Sequence, residues 1–453
     1  MRARHVPLIG LVGCLMLALA SPVWAYHFPW DQGHDTFTPQ GPDGPNNPPD
    51  NGNNDDDGDP VEVRTGNFFF NRTRHDIRLL DQGPALELLF AYHSQDYYSG
   101  PFGRGWHSTL TSMAIHVTDG ADQYIIIRNG EGRRHRYKLN ADGSFQNPSG
   151  VYERLTKNPD GTYTLRFKGG LRHEYNAAGR LTAMVAVDQQ AVRIAYDDAG
   201  AILAATNAAG RFLVFGKGPN GKVQSISDPF GGSYTFDYDT PGTLVRVVDS
   251  RGNTNAYVYD TSSRMTQIIG PDGTADLVNK YDSANRVTSQ TFPEGTANFY
   301  YDSATQTRVQ DPIGGTVVHQ FNANGLPTTT SGSGLQIVRT WDAGLNLVSV
   351  TNPDGSKVDL QYDANGNITQ WSRGGQVVQL GYDPAYFRLI SVASQTNSTP
   401  VTISYDDTQG SIQIQDESGV VRGFTADSFG LFESPVRALG VVFPYTARYR
   451  LQP

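Results

Sequence analysis

One short pattern recurs along most of this chain and constrains its fold more than any other feature. An aromatic residue followed by Asp or Asn stands at Tyr175-Asn176, Tyr196-Asp197, Tyr238-Asp239, Tyr259-Asp260, Tyr281-Asp282, Tyr301-Asp302, Phe321-Asn322, Trp341-Asp342, Tyr362-Asp363, Tyr382-Asp383 and Tyr405-Asp406. From Tyr238 onward successive marks lie 20 to 23 residues apart. The unit around Tyr362 shows the logic. Val358, Leu360 and Tyr362 alternate with Lys357, Asp359 and Gln361, the period of a half-buried strand. Asp363-Ala364-Asn365-Gly366 follows: an acceptor for backbone N–H groups, then a residue that takes positive φ without a Cβ penalty. Each mark therefore ends a strand in a tight turn. The mark expected between Tyr196 and Tyr238 is degenerate, around Gly216–Gly221.

A second turn falls midway in most units, as at Asp228-Pro229-Phe230-Gly231-Gly232, Asp249-Ser250-Arg251-Gly252-Asn253 and Asn352-Pro353-Asp354-Gly355. Two turns per unit leave two strands of about six residues, close to the commonest strand length. Tyr234, Phe236 and Tyr238 alternate, as do Ala297, Phe299 and Tyr301. One unit cannot bury such a face, but neighbours in an array can. The expected fold is all-β: a long antiparallel sheet over 171–423, curled by strand twist into an open or partial shell. Residues 61–170, with strand-like Leu86–Tyr92, Tyr124–Arg128 and Thr162–Phe167, are expected to form a small all-β module ahead of it. Residues 424–453 lack the mark and form an atypical tail.

The N-terminus carries the three parts of an export signal: basic Met1–His5, apolar Leu8–Ala20, and Val23-Trp24-Ala25 ahead of Tyr26. Cleavage after Ala25 and a secreted or envelope location are expected. Cys14, the one cysteine, lies inside this segment. Leu11-Val12-Gly13-Cys14 resembles a lipobox, but the apolar run continues past it, which favours an ordinary signal over a lipid anchor. The mature chain then has no disulfide or thiolate chemistry. Residues 26–60 are a Pro/Gly/Asn/Asp linker. Within it Asn53–Asp59 has oxygen ligands at calcium-loop spacing, but Arg64 stands where the bidentate Glu belongs, so no metal is expected.

With these residues in view, the chain resembles the RHS/YD-repeat family of bacterial Rhs proteins, Tc-complex shell proteins and teneurins. Gly58-Asp59-Pro60-Val61-Glu62-Val63-Arg64-Thr65-Gly66-Asn67-Phe68 and Gly100-Pro101-Phe102-Gly103-Arg104-Gly105-Trp106 extend the likeness upstream of the repeat. The resemblance covers about residues 58–420. It implies a repeat strip spiralling into a hollow β-shell. In bacterial members that shell often encloses a toxic C-terminal domain, released at a self-cleaving junction that uses acidic residues. No such junction followed by a new domain is found here, so neither autoproteolysis nor toxicity is carried over. The chain is expected to be a shortened relative.

No motif of a metalloprotease, nucleophile elbow or phosphate loop is present, and no catalytic, cofactor or metal residue is assigned. His135, within Gly132-Arg133-Arg134-His135-Arg136-Tyr137, reads as part of a solvated basic face, with anion binding as the alternative. His319 alternates with Val317 and Phe321 and reads as a core histidine rather than a ligand. The repeated aspartates read as turn caps, not paired catalytic acids. A net charge of −9 without a basic stripe argues against nucleic acid, and no later stretch qualifies as a membrane span. The expectation is a non-enzymatic shell, scaffold or interaction surface. A protein partner or self-association at the open sheet edges is expected. The alternative is a carbohydrate-binding surface protein, since exposed aromatic faces beside Asp and Asn suit a glycan.

Overall fold

The computed structural model describes residues 61–70, 77–79, 84–332, 334–395, 397–408 and 411–425. The expected export signal, the expected linker with Asn53–Asp59, and residues 426–453 lie outside them. The described residues are β throughout except for a short 3-10 turn at Thr109–Thr111.

A 27-stranded antiparallel sheet runs from Arg154–Lys157 to Val421–Thr425, and its spatial order is its order along the chain. Local chemistry accounts for this meander. In the Asp363 turn the backbone closes twice: Asp363 N–H donates to Asn367 O and Gly366 N–H to Asp363 O, each at 3.0 Å. The Asp363 carboxylate then accepts the N–H groups of Asn365 at 2.8 Å and Asn367 at 2.9 Å. Gly366 sits at φ +66°. Asp197, Asp239, Asp260, Asp282 and Asp342 accept the N–H four residues ahead in the same way.

The marked tyrosines do more than fill a face. Most enter their turns through a break in register, as between Ala195 and Tyr196, Asp237 and Tyr238, or Gln361 and Tyr362, whereas Tyr405 pairs without one and the Tyr175 hydroxyl bonds Ser112 instead. The bulge turns the ring over the preceding unit. Its hydroxyl donates to the carbonyl of the first residue after the previous marked turn. The pairs are Tyr196 to Leu181 at 2.7 Å, Tyr238 to Val223 at 2.6 Å, Tyr259 to Leu244 at 2.7 Å, and Tyr362 to Leu347 at 2.8 Å. Trp341 makes the same rung with its indole N–H, to Pro327 at 2.7 Å. Bulges increase local twist. Repeated on one edge of most units, they bend the strip in one sense.

The strip consequently curls back on itself. Gly169 N–H donates to Tyr386 O at 2.6 Å, Lys168 Nζ to Gly366 O at 2.8 Å, and the Tyr152 hydroxyl to Asn346 Oδ1 at 2.7 Å. Marked turns late in the strip thus rest on its beginning. The two terminal strands remain unpaired with one another, so this is an open spiral rather than a barrel.

The module comprises a three-stranded sheet (Phe69–Phe70, Phe90–His93, Trp106–Ser108), a four-stranded sheet spanning 113–146, and two short hairpins. It sits against the marked edge of the strip. Ala114 N–H donates to Gly179 O at 2.8 Å, Val223 N–H to Pro101 O at 2.9 Å, Met265 N–H to the Tyr92 hydroxyl at 3.0 Å, and Val287 N–H to Gly66 O at 2.8 Å. Its aromatic side chains enter the curl. Phe90 and Phe102 pack on Phe236, and Trp106 packs on Tyr257. A single core therefore joins Phe68, Phe90, Trp106, Phe236, Met265 and Phe299. Each such ring removed from water contributes about 1.5–3 kcal/mol. A separate core, including Val358, Trp371, Val378 and Ile403, serves the later strands.

The sheet starts at Arg154–Lys157, ahead of the boundary at 171, because its first strands carry no aromatic-Asp mark. At the far end Phe424 and Thr425 still pair, with Ile412 and Ser411, so the strip extends past residue 423.

Candidate functional site

The residues singled out by sequence are dispersed. His319 is fully buried and stands between Thr307 and Thr330 on the neighbouring strands, as a core histidine should. The basic run around His135 is not a solvated face. Arg134 is buried and pairs with Asp96. Arg136 lies over the Tyr124 ring and pairs with Asp119 at 3.0 Å. His135 itself is half-buried, and burial lowers its pKa. Among the described residues no three His, Cys, Asp or Glu side chains gather as a metal site, and no helix is long and apolar enough to cross a membrane.

Two features emerge only in three dimensions. The first is a buried polar cluster in the module. Asp96 accepts from Arg134 Nη2 and from His107 Nε2, both at 2.8 Å. Burial alone would raise the Asp96 pKa, but the bonds from His107 and the Arg134 charge outweigh it and hold the carboxylate low. His93 contacts the Glu131 carbonyl through Nε2 at 2.6 Å and Asn67 Nδ2 through Nδ1 at 3.0 Å. A carbonyl can only accept and an amide nitrogen can only donate, so Nε2 carries the proton, Nδ1 accepts, and the ring is neutral. Burial lowers the His93 pKa to about 3. An Asp–His pair can serve a nucleophile, but His107 is 1% exposed and ringed by His93, Tyr98 and Arg134. Shielded in this way, the cluster pins the Asp96 loop to the strand Arg134–Leu139.

The second feature is a cavity of about 450 Å³ between the module and the marked edge of the strip. Tyr98, Ser112, Arg180, Tyr196, Lys217 and Lys222 are in its wall, together with Ile202 and Val223. It lies at the degenerate unit. Lys217 occupies the position of the marked aromatic: the register breaks between Gly216 and Lys217, and Lys217 pairs with Val223 as Tyr196 pairs with Ile202. Its turn survives through Gly218 and Gly221. The ladder, however, loses its aromatic rung over Ile202. Lys217 Nζ reaches Asp197 at 3.3 Å instead. Lys222 Nζ is held by Ser99 Oγ at 2.9 Å and Gly100 O at 2.8 Å, and burial lowers its pKa. The wall has three cations and no carboxylate. Sequence reading noted the degenerate mark but had no means of placing Tyr98 and Ser112 opposite it.

Comparison with known proteins follows these features. Family models match at residues 115–325 (Teneurin YD-shell), 58–137 (domain of unknown function DUF6531) and 341–370 (RHS Repeat). The tRNA nuclease WapA of Bacillus subtilis (strain 168) is 33% identical over 135 residues, 30% of this chain and 6% of the relative. The probable deoxyribonuclease RhsB of Dickeya dadantii (strain 3937) is 34% identical over 76 residues, 16% of this chain and 5% of that protein. The chain thus spans only a small fraction of these curated relatives. Among solved structures, the TcdB2-TccC3-TEV structure superposes with a TM-score of 0.42 at 12% identity, covering 78% of this chain and 24% of the other.

Proposed function

Because this chain belongs to the RHS/YD-repeat family, we propose that it acts as an exported, non-enzymatic shell or scaffold at or beyond the cell envelope. The observation that carries this reading is the capped spiral. One continuous sheet curls past a full turn, and a module bonded to its marked edge fills one end of the curl. Most of the chain's burial and hydrogen bonding serves that architecture. The nuclease names of WapA and RhsB belong to much longer proteins. They support the reading of this chain as the shell portion of a polymorphic-toxin relative, with any toxic activity residing elsewhere.

Among the described residues the last strand, Val421–Thr425, pairs on one side only, and Val421 is 55% exposed. An open edge of this kind recruits another strand. The scaffold reading therefore includes a partner, a second copy or the chain's own tail at this edge.

The test is expression in a bacterial host, with intact mass, fractionation and cross-linking of the product. The expected result is an exported chain beginning at Tyr26, cross-linked through the 421–425 edge, with no cleavage of tRNA or DNA. Retention in the cytoplasm, or nuclease activity that survives purification of the chain to homogeneity, would overturn the proposal.

A further inference from the structure

We infer that the cavity at the degenerate unit binds an acidic saccharide unit: a hydroxyl-bearing ring carrying a carboxylate. The argument starts from the missing rung. At the equivalent positions Tyr196 and Tyr238 lay a ring over the preceding unit and donate to Leu181 and Val223. Lys217, in their place, sends a thin chain to Asp197 and leaves the ground over Ile202 open. The cavity is the volume of that absent ring, enlarged by the gap between the strip and the Tyr98–Pro101 segment.

Its chemistry selects the ligand. Arg180, Lys217 and Lys222 reach the wall, no carboxylate does, and Asp197 engages Lys217 only at 3.3 Å. Among the described residues no carboxylate pairs with Arg180, whose guanidinium lies against Gly200. A planar guanidinium is suited to bidentate capture of a carboxylate. The Asn220 amide and the Tyr196 ring, both in the wall, suit the hydroxyls and the apolar face of a sugar ring, while Ser112 and Tyr98 are taken up by Arg128, Tyr175 and His107. A volume of about 450 Å³ falls within the usual range of small-molecule sites. The site is independent of the scaffold reading, so either can fail alone.

The experiment is calorimetric titration of the full chain with digalacturonate. The neutral galactose disaccharide and inorganic phosphate serve as comparators. Lys217→Tyr restores the residue type of the regular units and should close the cavity without harming the fold. Arg180→Gln removes the unpaired guanidinium. The expected result is saturable digalacturonate binding that weakens with salt. It should be absent for the neutral disaccharide and weakened about tenfold or more by either substitution, as loss of a charged hydrogen bond implies. Lys217→Tyr should melt no lower than the parent. Failure to bind digalacturonate, equal binding of the neutral sugar, binding of phosphate alone, or binding unchanged in Lys217→Tyr would each overturn the inference.

Discussion

The Trp106 indole N–H donates to the Tyr259 hydroxyl at 3.0 Å, and that hydroxyl in turn donates to the Leu244 carbonyl at 2.7 Å. One phenol thus links the module to the ladder of the repeat. Tyr362 makes the second of these bonds, to Leu347 at 2.8 Å. Tyr259→Phe leaves a buried indole N–H unsatisfied as well as breaking a rung. We expect it to cost about 2–4 kcal/mol of local stability, against about 0.5–1.5 kcal/mol for Tyr362→Phe. Hydrogen exchange at Trp106 and at the two rungs measures both. Equal effects would show that the linkage adds nothing.

Asp363→Ala removes an acceptor for the Asn365 and Asn367 N–H groups and for Asn367 Nδ2. A local loss of about 1–2 kcal/mol is expected. Asp363→Asn keeps one acceptor oxygen and should recover most of it. Amide exchange across 363–367 checks the pair.

Gly366 and Gly355 both have positive φ, +66° and +78°. A Cβ at Gly355 meets open space, whereas at Gly366 it would strike the Tyr152 ring. Both alanine variants should strain their turns by about 1 kcal/mol. Gly366→Ala alone should loosen the return contact between the 342–388 turns and the start of the sheet. Cross-linking between positions 152 and 346 reads that contact, and equal yields in both variants would count against the spiral.

Arg134→Leu would leave Asp96 buried without its ion partner. We expect a loss of about 3–5 kcal/mol in the module. The double variant Arg134→Leu with Asp96→Leu should recover part of it. Limited proteolysis of the 61–150 region compares them.

Acid should weaken the module in two stages. His93 and His107 have depressed pKa values in the folded state. Their neutral forms are favoured by folding, so their contribution is complete above the unfolded value of about 6.5 and falls as pH drops below it. Asp96 is likewise depressed. Its contribution is present above the unfolded carboxylate value and is lost below about pH 4. Thermal melting from pH 8 to pH 3 should show both declines, with the upper one reduced in His93→Gln and removed only when His107 is replaced as well.

The sequence carried a large share of this structure because the repeat is locally encoded. Alternation sets which face of each strand is buried, and Asp363 and Gly366 close their turn with partners no more than four residues away. His319 as a core residue and the aspartates as turn caps follow from the same short-range logic. The role of the marked tyrosines was less legible. Their alternation suggested core filling, but a bulge turns most of them toward a carbonyl some fifteen residues back, and bulges leave no mark in hydrophobic period. The basic run at Arg133–Arg136 looked solvated for a related reason: the partner that buries Arg134 is Asp96, 38 residues earlier.

Sequence alone, then, determined a meander of short strands and turns, since each depends on side-chain period and turn chemistry within a few residues. Tertiary structure decided how far the strip curls, where Gly169 meets Tyr386, and that the module sits on the marked edge. It also decided that Lys217, a flawed mark in the sequence, opens onto a cationic cavity. These depend on contacts between residues tens to hundreds of positions apart, set by the accumulated twist of successive bulged hairpins, which no single unit records.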